Sequence, residues 1–430
     1  MPFQTPRGTR DIEPEEMIRY EYVLSVIKKV FEKYGFDPFD TPAFEDWALL
    51  SAKQGGGEEI KQEIYYFKDK SDRELGLRFD LTVPLCRFVA ANPDIPKPFR
   101  RYQIGKVWRY DKPGALRWRE FLQADIDIVG SESTEAEAEY LLAICEIFSE
   151  LGFRDFVIRI NNRKITEDFV KALGIKNVID VFRSIDKLEK IGAKAVEKEL
   201  TEKGISSASI KRILEFVQLK DIDKVKKQIS SEGINEIEKI LAFLADYKKN
   251  LQVDMSLVRG LEYYTGPVFE IATGAGISVG GGGRYDNLIE IFGGKKTPAT
   301  GISIGIDRLV AVMSEKKMFP AIKTATKVFV VSVSEAVKKN VVDIVKNLRN
   351  LSIPAEFDLM GRSLSKQLSY VNSREIPFVL VIGEKELASG KAKMRDMTSG
   401  KETDVWLDKL EDVKEIVASK DQANQARGNA

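Results

Sequence analysis

Phe99-Arg100-Arg101-Tyr102-Gln103-Ile104-Gly105-Lys106-Val107-Trp108-Arg109, a loop, and then Arg119-Glu120-Phe121-Leu122-Gln123-Ala124-Asp125-Ile126-Asp127-Ile128 decide how the chain is read. The second segment alternates with period two. Leu122, Ala124, Ile126 and Ile128 point one way; Phe121, Gln123, Asp125 and Asp127 point the other. An apolar face is ordinary core. An aromatic ring, an amide and two carboxylates on the opposite face form a polar floor suited to a cationic or amphipathic small molecule. The window Lys97 to Arg119 holds eight basic residues and one acid, Asp111, so a polyanion patch beside that floor is expected. A hairpin with scattered, solvated charges is the plainer reading of the window alone.

Around this hairpin the chain is organised in blocks. Pro14, Glu15 and Glu16 suit a first helical turn, and Met17, Tyr20, Leu24, Ile27, Phe31 and Tyr34 recur at helical spacing until Gly35. Asp37-Pro38-Phe39-Asp40-Thr41-Pro42 reads as extended. Leu75 to Gly130 is mainly strand, interrupted by a short helix after Thr82. Thr134 with Glu137 predicts a capping box, and Tyr140, Leu141, Ile144, Ile147, Phe148 and Leu151 form one helical stripe. A strand over Phe156 to Ile160 follows. From 165 to 250 the composition turns Lys/Glu-rich with apolar residues at helical spacing, such as Leu214, Val217, Ile237 and Ile240, which predicts a helical insertion. Strand-like segments resume at Met255. Beyond Lys323, strands at Val328–Val331 and Phe378–Ile382 and a helix over Glu335 to Arg349 predict a small α/β domain. The expected domains are 1–325, carrying the insertion, and 326–420, with a frayed tail over 421–430.

Composition excludes several kinds of protein. The chain has 430 residues with 67 Lys plus Arg against 66 Asp plus Glu, so nucleic-acid binding must come from local patches rather than from net charge. It contains no histidine, which removes every catalytic device that needs an imidazole base or ligand. Cys86 and Cys145 are too far apart for a CxxC motif, and a reducing cytoplasm is expected. The N-terminal residues lack the apolar core of a signal peptide, and no apolar run is long enough to span a bilayer, so no membrane is expected.

Trp108-Arg109-Tyr110-Asp111 with Phe121 resembles motif 2 of class II aminoacyl-tRNA synthetases. Gly301-Ile302-Ser303-Ile304-Gly305-Ile306-Asp307-Arg308-Leu309 resembles their motif 3, and Pro42 sits where motif 1 places a dimer-interface proline. Leu257-Val258-Arg259-Gly260-Leu261-Glu262-Tyr263-Tyr264-Thr265-Gly266 is similar to the signature of histidyl-tRNA synthetases. Gly280-Gly281-Gly282-Gly283-Arg284-Tyr285-Asp286 is similar to their glycine-rich signature, and Leu77-Arg78-Phe79-Asp80-Leu81-Thr82 also matches. Gln123-Ala124-Asp125-Ile126-Asp127 resembles the archaeal and eukaryotic branch; the bacterial branch has Glu at the position of Asp127.

The resemblance implies an α+β fold: an antiparallel sheet flanked by helices, with the helical insertion and a C-terminal α/β anticodon-binding domain. It implies ATP with magnesium, histidine and histidine tRNA as partners, a homodimer, and no tightly bound protein metal. Arg109 and Arg259 would act on the α-phosphate from two sides. Phe121 and Arg308 would hold the adenine. Asp80, Leu81, Thr82, Gln123, Asp127, Arg259, Tyr263, Tyr264 and Tyr285 would surround the histidine, with Asp127 and Tyr264 on its imidazole. Thr82 has a plainer role as a helix cap, and Arg259 as a surface partner of Glu262. The loop Tyr110 to Trp118 would face the acceptor end of the tRNA. The window Gly361 to Arg395, with seven basic residues and three acids, lies in the domain that would read the anticodon. With no imidazole available, the proton of the second step would pass to a phosphate oxygen of the adenylate. A non-catalytic regulatory subunit of histidine biosynthesis is the alternative; it would lack the C-terminal domain.

Overall fold

The computed structural model describes residues 3–52, 62–112, 114, 116–258, 263–274, 276–320 and 323–428. The chain forms two compact units, residues 1–10 with 23–312, and 11–22 with 313–430.

The strands of the first unit are β1 (Asp37–Pro38), β2 (Phe44–Asp46), β3 (Tyr66–Lys68), β4 (Glu74–Leu77), β5 (Phe99–Trp108), β6 (Glu120–Val129), β7 (Val157–Asn162), β8 (Leu251–Val253), β9 (Pro267–Ala272), β10 (Ser278–Arg284) and β11 (Ala299–Gly305). Eight of them make one sheet in the order β1-β5-β6-β11-β10-β9-β7-β8. The six inner strands are antiparallel neighbours, and the short edge strands β1 and β8 pair in parallel. A small sheet, β2-β4-β3, stands apart.

Register turns the alternation of β6 into two chemically distinct faces. Ala124, Ile126, Ile128, Ile302 and Ile304 are buried on one face. The helix Glu135–Glu150 packs there with Tyr140, Leu141, Ile144 and Phe148, none of them exposed. On the other face, Gln123, Asp125 and Asp127 lie opposite Gly105, Gln103 and Arg101 of β5 and opposite Gly305, Ser303 and Gly301 of β11. The floor is therefore three strands wide and polar throughout.

The first helix, Pro14–Lys33, ends as expected: Gly35 has φ +72°, and Phe36 N–H reaches Phe31 C=O at 3.1 Å. Its buried stripe is Tyr20, Val23, Ile27, Val30 and Phe31. The capping box does not form. Thr134 makes no side-chain cap, and Glu137 is drawn instead into a two-pronged ion pair with Arg284, at 2.8 Å from both Nε and Nη2. A buried guanidinium needs a carboxylate more than a solvated helix end does. Between β7 and β8 the chain is helical, from Arg163–Ala172 to Glu232–Phe243 and a short 3-10 turn. Strand structure returns at Leu251, ahead of the expected Met255, because Ile158 to Ile160 of β7 offer an edge for pairing.

The second unit has its own sheet, β12 (Val328–Ser332), β13 (Ala355–Phe357), β14 (Phe378–Ile382), β15 (Lys391–Asp396) and β16 (Glu402–Trp406), in the order β13-β12-β14-β15-β16. β13, β12 and β14 run parallel, and β15 and β16 add an antiparallel hairpin. Val328 and Val330 pack on one side with Val341, Ile344 and Leu348, while Phe329 and Val331 pack on the other with Val371 and Ile376. This is the small α/β arrangement expected of the region. The last helix of the second unit is Glu411–Gly428.

Candidate active site

The polar floor is the base of two adjoining cavities. The first, about 240 Å³, is lined by Arg109, Arg117, Phe121, Gln123, Gly281, Ser303 and Arg308 among others. The second, about 270 Å³, is lined by Asp80, Thr82, Arg109, Gln123, Asp125, Asp127, Tyr263, Tyr264, Tyr285, Gly281 and Ser303 among others. Arg109, Gln123, Gly281 and Ser303 belong to both, so one continuous trough runs along β6.

Arg109 leaves the end of β5. Its Nε donates to Phe79 C=O at 3.0 Å, and its guanidinium lies 5.3 Å from the Phe121 ring centroid. Arg308, early in the helix Ile306–Glu315, donates to Ser278 C=O at 3.2 Å. Its neighbour Asp307 accepts from Leu122 N–H at 2.7 Å, which ties that helix to β6. Three guanidinium groups and an aromatic ring around one cavity suit a polyanion carrying a flat base. Arg259 lies outside the described residues, as does Glu262.

The second cavity is acidic. Asp80 sits ahead of the helix Thr82–Ala91 and accepts from Val83 N–H at 3.0 Å. Leu81 holds the N-cap position without a side-chain cap, Asp80 one residue earlier takes the Val83 N–H, and Thr82 lies inside the first turn and lines the cavity. Burial pushes Asp80 up to about 6 and Asp125 up to about 7. Asp127 is raised for the same reason, with Arg101 opposing. Burial also raises Tyr263 to about 12, and Tyr264 and Tyr285 well above the ordinary phenol range. The phenols are therefore hydrogen-bond donors at neutral pH. The Tyr263 and Tyr264 rings meet at 4.4 Å.

Asp127 is held from two sides. Arg101 Nη2 approaches it at 2.8 Å, and the Tyr285 hydroxyl donates to its Oδ1. Arg101 is fully buried and also donates to Leu81 C=O at 3.1 Å. Leu81 is itself buried and its side chain does not line the cavity. Gly301 has to be glycine, because a Cβ there would lie 2.0 Å from Asp127 Oδ1. Gly283 leaves room for the Tyr264 ring, which a Cβ would meet at 3.0 Å.

The sequence alone does not single out Arg101 or Ser303, and it gives Asp125 only as part of the polar floor. Register is the signal that finds them. Pairing Trp108 with Glu120 puts Arg101 opposite Asp127, and motif 3 on the next strand puts Ser303 opposite Asp125.

An antiparallel sheet with a basic, aromatic cavity joined to an acidic one, and a second unit built on a mixed α/β sheet, together make the arrangement expected of a class II aminoacyl-tRNA synthetase, and comparison with known proteins agrees. Residues 8–309 match the family model described as Histidyl-tRNA synthetase, and residues 327–415 match the Anticodon binding domain. The chain belongs to the histidyl-tRNA synthetase family. It is 37% identical over 420 residues to a Histidine--tRNA ligase of Pyrococcus furiosus, covering 94% of this chain and 96% of that one. It is 39% identical to that of Aeropyrum pernix over 417 residues, with 94% and 95% covered. The solved histidyl-tRNA synthetase of Nostoc sp. PCC 7120 superposes with a TM-score of 0.85 at 32% identity, over 96% of this chain and 99% of that one.

Proposed function

We propose that this member of the family attaches histidine to histidine tRNA, with the trough along β6 carrying out the activation step. The single observation that carries this reading is the continuity of the two cavities through Arg109 and Gln123. An amino acid in the acidic cavity and ATP in the basic one would meet at that guanidinium. The histidine carboxylate attacks the α-phosphorus, the bond to the β-phosphate oxygen breaks, and pyrophosphate leaves. The 3′ hydroxyl of the tRNA then attacks the carbonyl, AMP leaves, and the hydroxyl proton passes to a phosphate oxygen.

The first step is a displacement at phosphorus, so positioning and charge stabilisation supply most of the catalysis. A unit charge pair at ~4 Å is worth about 4 kcal/mol at an effective dielectric near 20, and each ~1.4 kcal/mol realised only in the transition state is tenfold in rate. Arg109 is assigned to the α-phosphate and the attacking carboxylate, and Arg259 to the opposite side of that phosphate. Phe121 stacks on adenine, and Arg308 closes on it. Magnesium enters with ATP as part of the substrate.

Asp80, Thr82 and Gln123 take the α-amino group. Asp127, Tyr264, Tyr263 and Tyr285 surround the imidazole, and the Leu81 backbone positions Arg101 behind Asp127. The Arg101 and Tyr285 contacts support Asp127 as a fixed, oriented acceptor. The loop Tyr110 to Trp118 takes the acceptor end, and the second unit takes the anticodon. A homodimer acting in the cytoplasm completes the reading; among the described residues no helix is long and apolar enough to cross a membrane. The regulatory-subunit alternative is weakened by the anticodon-binding domain over 327–415.

Histidine-dependent exchange of pyrophosphate into ATP tests the reading. Exchange that follows added histidine supports it. No exchange, with tRNA still bound, would replace it with a sensor.

A further inference from the structure

Among the described residues, three acceptor atoms on one strand face have no hydrogen-bond donor: Gln123 Oε1, Asp125 Oδ1 and Asp127 Oδ2. They occupy successive cavity-facing positions of β6, and all three residues line the acidic cavity. Asp127 Oδ2 at least has Arg101 beside it as a charge partner. Among the described residues Asp125 has no ion pair of its own; Arg101 acts on it only at longer range. Its side chain is 3% exposed, and its other contact is the neutral Ser303 hydroxyl, which accepts from Gln123 Nε2 at 2.5 Å and is left to donate to Asp125. A buried carboxylate oxygen without a donor is costly, and a row of unmet acceptors calls for a ligand rich in N–H.

We propose that Asp125 is a further substrate-recognition residue, whose free Oδ1 accepts from the α-ammonium of the bound histidine. The inference rests on the histidine site proposed above and extends it. Charge balance selects the ammonium over the ring. The cavity presents Asp80, Asp125 and Asp127, while Arg101 is committed to Asp127 and Arg109 is shared with the basic cavity. One carboxylate is in excess, and the ammonium is the cationic group of histidine at neutral pH. The position also fits: Asp125 lies between Gln123, near Arg109, and Asp127, beside Tyr285.

Asp125 has a second consequence, for protons. The groups facing it are Arg101 on β5, Asp127 on its own strand, Asp80 ahead of the helix, Ser303 on β11 and Tyr263. Burial outweighs Arg101 and pushes Asp125 up to about 7, so near neutral pH the empty site carries its proton in part. An ammonium beside it keeps it ionised, and histidine binding releases that proton.

The test compares the wild type with Asp125→Asn, using histidinol, which keeps the ammonium and the ring, and imidazole-4-propionate, which lacks the ammonium. Both are measured as inhibitors of histidine-dependent pyrophosphate exchange, with proton release read by calorimetry in two buffers. The variant is expected to bind histidinol roughly ten- to hundredfold more weakly, the loss of a hydrogen bond to a charged group, with imidazole-4-propionate changed less than threefold. Proton release on binding near pH 7 should be smaller than in the wild type. Equal loss of both inhibitors, or unchanged proton release, would overturn the assignment. An unchanged ATP KM distinguishes a local effect from misfolding, and Asp125→Glu, which keeps the charge, should recover part of the histidinol affinity. A wild type that binds neither inhibitor would instead sink the histidine site itself.

Discussion

Replacing Arg101 by methionine tests whether the acidic cavity is organised from beneath. Arg101 is fully buried and meets Asp127 at 2.8 Å, Leu81 C=O at 3.1 Å and Gln103 at 3.4 Å. Methionine keeps most of the volume and removes the charge, leaving Asp127 with the Tyr285 hydroxyl alone. Removing one partner of a buried ion pair costs about 3–5 kcal/mol, because the other charge stays behind unpaired. The loss depends on pH with a defined sign. Asp127 is already raised by burial, and without Arg101 it rises further. A carboxyl held above its unfolded pKa binds more protons folded than unfolded, so its folded form gains as pH falls. The penalty is therefore greatest near pH 8 and shrinks toward pH 5. Urea denaturation followed by tryptophan emission reports it, since Trp47, Trp108 and Trp118 lie in the first unit. The double variant Arg101→Met with Asp127→Asn should recover at least half of the lost stability without recovering histidine affinity. A penalty below about 1 kcal/mol at pH 8, or one that does not change with pH, would refute the idea that Arg101 holds Asp127 ionised.

Gly301→Ala places a methyl 2.0 Å from Asp127 Oδ1, so the KM for histidine should rise at least tenfold with the KM for ATP nearly unchanged; equal rises would mean the strand has shifted as a whole. Gly281→Ala should fold with a small strand adjustment, because among the described residues the one atom within 4 Å of its Cβ is Phe269 O at 3.2 Å, yet weaken both substrates, since residue 281 lines both cavities. Phe121→Ala should raise the KM for ATP about tenfold, the worth of one aromatic stack on a base, and leave histidine binding intact; a matching loss for histidine would count against the division of the trough. Arg259→Ala should abolish adenylate formation in single-turnover assays while the denaturation midpoint stays put, and near-normal turnover would remove Arg259 from the mechanism.

How much of this was legible beforehand depends on the range of the signal. Period two along β6 separates core from floor using neighbours two residues apart, and the structure keeps that separation at every position from Ala124 to Ile128. The glycines over 280–283 are placed by their own sequence. Arg101 and Ser303 are different, because their importance comes from strands that pair across the sheet, and only the register reveals it. The capping box failed for the same reason: Thr134 and Glu137 fit the local rule, but Arg284, far along the chain, competes for the carboxylate with two charge-assisted hydrogen bonds. Thr82 suits a cap by its position alone, whereas in the fold Asp80, two residues earlier, takes the Val83 N–H.

These non-local contacts share a logic. Glu137 holds Arg284, whose strand ends beside Tyr285, and Tyr285 reaches Asp127. Arg101 meets the same carboxylate from β5, and Gly301 leaves it space on β11. Four separate segments thus converge on a single Asp127. A side chain constrained from that many directions cannot shift toward an imperfect ligand without breaking buried hydrogen bonds, and in the proposed histidine site this would make it a strict judge of where an imidazole N–H must lie. Asp125, by contrast, has Ser303 as its hydrogen-bond donor among the described residues and keeps an open oxygen. The rigid carboxylate is suited to selecting the side chain that distinguishes histidine. The open one is suited to the ammonium common to all amino acids, where charge matters more than shape.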